Sequence, residues 1–276
     1  MPLRPRTTLL LVALSVLGAA AFTWPLLLQH NDSTAYGHEA DAPFLVAALL
    51  ALLLGAVLAE VADGGLDAKA LAMLGVLAAL VSVLRLIDAG TALGEGLVWF
   101  LMVPAGRVLG RGFGFLLGAL ALFASALLTV GVGPWLPFQM CAAGWFALGA
   151  GCLPRRLSGR TELVVLAGYG LVGGELYGLL MDLSFWPFRV GSTGSLAFVA
   201  GAPLATNVHH FLAFHAITGL GYDLLRGVGT AVLVLLTGRP LLAALRRAAR
   251  RAAFDAPAVF TAPASGGEPR AEPVAA

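Results

Sequence analysis

Residues 113–130 read Phe-Gly-Phe-Leu-Leu-Gly-Ala-Leu-Ala-Leu-Phe-Ala-Ser-Ala-Leu-Leu-Thr-Val, without a single charge. A helix rises about 1.5 Å per residue, so this run nearly crosses the roughly 30 Å hydrocarbon core of a bilayer. Other apolar runs repeat the pattern near 8–28, 43–61, 68–88, 95–110, 135–152, 162–182 and 208–237. Glu95, Pro104 and Arg107 interrupt the fourth of these eight segments. Their length predicts helices, because a barrel strand takes about ten residues with strict alternation. The expected fold is all-α: a polytopic membrane protein with about eight spans.

Composition points the same way. Of 276 residues, 59% are hydrophobic and 12% charged, with a mean hydropathy of +0.89. A soluble domain carries roughly 25% charged residues, so this chain cannot cover itself with a polar surface. A net charge of +2 gives no reason to expect nucleic acid as a partner. Cys141 and Cys152 lie eleven residues apart on one proposed helix, roughly 16 Å along its axis. A disulfide needs Cα atoms within about 7 Å, so both read as packing residues. Arg4, Arg6, the run from Leu9 and Ala19-Ala20-Ala21 resemble a signal peptide. The run continues through Trp24 to Leu28, which favours an uncleaved first span.

Basic residues orient the spans. With the N-terminus inside, cytoplasmic segments hold Arg4, Arg6, Lys69, Arg107, Arg111, Arg155, Arg156, Arg160, Arg239, Arg246, Arg247, Arg250, Arg251 and Arg270, and external segments hold only Arg189. Both termini are therefore expected on the cytoplasmic side of the cell inner (plasma) membrane. The external loops 29–42, 131–137 and 183–207 are rich in His, Trp, Gly and Pro. They read either as a lid on an outward cavity or as aromatic belts at the interface. Beyond Pro240, Leu241, Leu242, Leu245 and the arginines predict a basic amphipathic turn on the anionic inner leaflet. Residues from Pro257 onward predict disorder.

Polar residues within spans need partners or a purpose. Asp223 and Arg226, and likewise Arg85 and Asp88, are three apart and face each other on a helix. Each pair reads as a neutralised structural pair or as a substrate-binding or gating element. Glu175, Tyr177, Asp182, Trp135, Phe138, Gln139, Asn207, His209, His210 and His215 fall at one depth near the external face, with Trp186 in the loop and Trp99 on the fourth span. Such a polar and aromatic ring suits a water-soluble, ring-containing ligand. No metal is expected: on a helix His210 and His215 differ by about 140°, and His209 and His215 by about 240°. No Gly-x-Ser-x-Gly or Walker sequence occurs, and Ser192 and Ser195 lie in a loop, so neither catalysis nor a cofactor is expected. Ala68, Ala72, Gly75 and Ala79 recur at four and three residues and form a smooth stripe for helix packing.

Residues 112–153, with Gly133-Pro134-Trp135-Leu136-Pro137-Phe138-Gln139-Met140, and the segment Gly221 to Pro240 resemble the substrate-binding S components of energy-coupling factor (ECF) transporters, the actinobacterial ones above all. Leu136 stands where that family often has Thr. The resemblance implies a six-helix binding core over 68–240. A two-helix membrane extension over 1–67 would precede it, and a cytoplasmic tail over 241–276 would follow. It also implies a vitamin or related micronutrient as substrate, captured from outside. The partners would be a transmembrane T component, docked on the stripe from Ala68 to Ala79, and two ATP-binding subunits. Some S components of this kind are linked to cobalamin, but no residue here identifies a corrin ligand. A self-sufficient secondary transporter or channel and an intramembrane enzyme or scaffold are the competing classes. The former predicts internal repeats with broken helices, and none stands out.

Overall fold

The computed structural model describes residues 5–27, 47–48, 50–51, 53–55, 68–88, 96–129, 131–188, 194–199 and 201–252. Every regular element among them is helical. The principal helices are α1 (Pro5–Leu27), α2 (Ala68–Asp88), α3 (Gly96–Leu109), α4 (Arg111–Leu128), α5 (Leu136–Cys152), α6 (Gly159–Phe185), α7 (Leu204–Thr218) and α8 (Leu220–Ala252). Two 3-10 turns, Trp186–Phe188 and Gly194–Leu196, lie between α6 and α7. Residues 53–55 are also helical, with Leu53 buried.

Among the described residues, four helices are long and apolar enough to cross a membrane: Ala68–Ile87, Arg111–Leu128, Gly159–Phe185 and Leu220–Arg250. Their outer surfaces carry large apolar side chains, including Leu236 at 74% exposure. Water would not tolerate so continuous an apolar surface, whereas lipid tails do. The molecule is a helical membrane protein. Helix α3 has 14 residues and α5 has 17, about 21 and 26 Å of rise.

Helix α3 is buried nearly all round, as expected of a helix that is apolar on every face. It packs on α2, α4, α5, α6 and α8. The turn from α3 to α4 is a single residue, Gly110, at φ 99°, in the left-handed region where a Cβ is disfavoured. Backbones then approach closely. A Cβ on Gly118 would stand 2.3 Å from the Ala143 carbonyl oxygen, and one on Gly114 2.6 Å from that of Ala147. On the other side of the bundle, Gly170, Gly174 and Gly178 of α6 face Thr230, Gly227 and Asp223 of α8. Small residues every fourth position let two helices pack by van der Waals contact where lipid supplies no hydrophobic drive.

Two features differ from the sequence reading. The segment 208–237 is not one helix: the chain breaks at Gly219, between α7 and α8. A Cβ there would lie 2.1 Å from Asp182 Oδ2 and 3.0 Å from His215 Nδ1, so the bare backbone makes room for those side chains. In turn, α8 runs through Pro240 to Ala252. Leu242 and Leu245 are buried in the core, not turned toward a leaflet.

Candidate functional site

Two polar assemblies lie at opposite ends of α6 and α8. At one end Glu162, 1% exposed, accepts from Arg107 Nε at 2.8 Å and from Arg246 at 2.7 and 2.8 Å. Arg107 also donates to the carbonyls of Leu153, at 2.8 Å, and Leu157, at 3.3 Å. The arginine-bearing connections 107–111 and 153–160 and the end of α8 therefore meet at one end of the bundle. A groove of about 370 Å³ opens there, lined by Gly159, Glu162, Arg239, Arg246, Arg247 and Arg250 among others.

The other end gathers charge from three helices. His215 of α7 sits between two carboxylates of α6, with Nδ1 2.8 Å from Asp182 Oδ2 and Nε2 3.0 Å from Glu175 Oε1. Asp223 of α8 is 3% exposed; its Oδ1 pairs with Arg226, and its Oδ2 lies 3.9 Å from His215 Nδ1. Arg226 stands over the rings of Tyr177, at 5.2 Å, and Tyr222, at 4.9 Å. Tyr177 in turn meets Trp99 of α3 at 4.2 Å. Asp223 occupies a notch cleared by Gly178, where a Cβ would fall 1.9 Å from its carboxyl. An imidazole between two ionised carboxylates donates from both nitrogens, as imidazolium; between one carboxylate and one carboxylic acid it donates to the first and accepts from the second.

Beside this cluster an aromatic and amide clasp holds residues 194–199. Trp186 Nε1 donates to the Leu196 carbonyl at 2.8 Å, and His210 Nδ1 lies 2.8 Å from that of Ala197. Asn207 Oδ1 accepts from Val199 N and its Nδ2 donates to Val199 O, both at 2.9 Å. Trp186 also packs on Phe198, Phe211 and Phe214, and Phe211 stacks on His215.

Of the expected ring, Trp99, Glu175, Tyr177 and Asp182 therefore come together with Asp223 and Arg226, and Trp186, Asn207 and His210 flank them. His209 is exposed. Trp135, Phe138 and Gln139 belong to a separate patch at the start of α5. Trp135 is half exposed and donates to the Gly131 carbonyl, and Phe138 packs edge-on against Phe22. Arg85 donates to Ser125 Oγ at 2.8 Å and to Gln139 Oε1 at 3.4 Å; the side chain of its expected partner, Asp88, lies outside the described residues. Ala68, Ala72, Gly75 and Ala79 all face outward.

The sequence reading does not single out His215 as the centre of the cluster, or Glu162. The Gly170-Gly174-Gly178 spacing is a signal for the face of α6 that carries the acids.

The fold and the two assemblies define a class, a helical membrane protein with a charged cluster between its helices. No family model matches the chain, and neither a curated protein nor a solved structure matches it.

Proposed function

We propose that the chain is the substrate-capturing S component of an ECF-type importer. It would take a vitamin or related micronutrient from outside and deliver it through an ATPase-driven T component, with no catalysis of its own. The observation that carries this reading is the bare face of α2. Ala68, Ala72, Gly75 and Ala79 point away from the bundle, and a Cβ on Gly75 would meet nothing within 4 Å. A smooth stripe that has no neighbour among the described residues suits a partner helix, and it coincides with the resemblance in residues 112–153 and 221–240. In this reading the chain crosses the plasma membrane about eight times, with both termini and the arginine-rich end in the cytoplasm.

The charged cluster favours a second reading, a self-sufficient secondary transporter or channel, because ionisable groups inside a membrane bundle often mark an ion or solute path. Co-expression with candidate T and ATPase subunits separates the two. Capture of a T component and two ATPases by the tagged chain, abolished by Gly75→Leu, supports the S component. Failure to capture them, together with solute uptake by the chain alone in vesicles, overturns it. Trp135→Ala and Gln139→Ala should weaken substrate binding while leaving thermal unfolding in detergent unchanged; unaltered affinity in both places the substrate elsewhere.

A further inference from the structure

The cluster at the junction of α6, α7 and α8 has the donor set of a metal centre, a site that goes beyond the transport reading and does not depend on it. Glu175, His215 and Asp223 each offer one ligand atom, and these atoms lie within 4.8 Å of one another. Donors bound about 2.1 Å from a transition ion stand roughly 3–4 Å apart, so small side-chain adjustments close the site.

A second observation points to a missing ligand. Asp223 Oδ2 and Glu175 Oε2 are buried and have no hydrogen-bond partner, and Asp223 as a whole is 3% exposed. Arg226 engages Oδ1 of Asp223 and leaves Oδ2 toward the imidazole. A buried acceptor without a partner is costly, the more so when charged. Charge supports the same conclusion. With all three carboxyls of Glu175, Asp182 and Asp223 ionised, one guanidinium and even an imidazolium leave a net negative charge in the cluster. A divalent ion bound by neutral imidazole leaves none.

We propose that Glu175, His215 Nε2 and Asp223 bind one divalent first-row transition-metal ion of the Mn²⁺ to Zn²⁺ series, while Asp182 accepts the Nδ1–H and holds the ring; Asp223 Oδ2, 3.9 Å from Nδ1 without the ion, turns toward Nε2 to complete the site. The carboxylates alone would suit Mg²⁺ or Ca²⁺, but an imidazole donor selects against those hard cations. A carboxylate behind a ligating histidine is the usual means of fixing its tautomer. Bound there, the ion would tie α7 to the ends of α6 and α8. The helical separation of His215 from His209 and His210 is no obstacle, because the ligands come from three helices.

The test uses the full chain, purified in detergent through a tag without histidine, stripped with chelator and titrated with Co²⁺ and then Zn²⁺. The expected result is saturation near one equivalent, with a visible Co²⁺ absorption band that Zn²⁺ displaces. His215→Gln and Asp223→Asn should each abolish the band, and Asp182→Asn should weaken binding about 10–100-fold. His209→Ala, at an exposed ring, should change nothing. Pulsed electron paramagnetic resonance of Mn²⁺ in the unmodified chain should show coupling to one imidazole nitrogen, a readout independent of whether a variant folds. Absence of saturable binding in the unmodified chain, absence of that nitrogen coupling, or a band that survives in His215→Gln overturns the proposal.

Discussion

Glu162 shows what one buried side chain does in this bundle. It is 1% exposed and neutralises two arginines of different exposure: the Arg107 side chain is 6% exposed and that of Arg246 43%. Removing one member of a buried pair strands the other, at a cost of about 3–5 kcal/mol, whereas a partly exposed pair contributes about 1 kcal/mol or less. Glu162→Ala should therefore lower the thermal unfolding temperature in detergent far more than Arg246→Ala does. Equal shifts in the two variants would show that the network contributes little. Sequence alone makes Arg107 visible only as an interruption of an apolar run, because its partner lies 55 positions away.

Among the helices, the glycines fall into two kinds with opposite expectations. Gly118 touches the backbone of α5, and a side chain there must push the helices apart. Gly118→Leu should destabilise the folded chain by at least about 1–3 kcal/mol, read as a lower unfolding temperature. Gly75→Leu should leave that temperature unchanged, since its surroundings are open. The four long apolar helices are legible in sequence because a bilayer imposes length and apolarity on each helix by itself. The break at Gly219 is not, because the apolar pattern from Phe211 through Leu225 continues across it. The site is legible in depth and not in plan. Glu175, Tyr177 and Asp182 share a level by topology, whereas Asp223 and Arg226 read as a separate pair within their span, and which helices are neighbours depends on glycine contacts across α6 and α8. For the same reason Gln139, at an expected common depth, belongs to Arg85 in another patch.

For the whole molecule, the two ends of the bundle differ chemically, arginine-rich at one and acidic with histidine at the other. Of the two cysteines, Cys141 is buried and Cys152 exposed, and Cys152 adjoins the arginine-rich end. A membrane-impermeant thiol reagent should label Cys152 in inverted vesicles and neither cysteine in intact cells. Labelling from the cell exterior would reverse the orientation. Helix α8 joins the two ends without interruption, from Asp223 over Gly178 to Arg246 on Glu162, about 35 Å at the usual helical rise. A helix resists stretching, so any displacement of Asp223 along the axis of α8 would reach Arg246 and its contact with Glu162 unless the helix bent at Pro240, the residue in that stretch with no N–H to give the helix ladder.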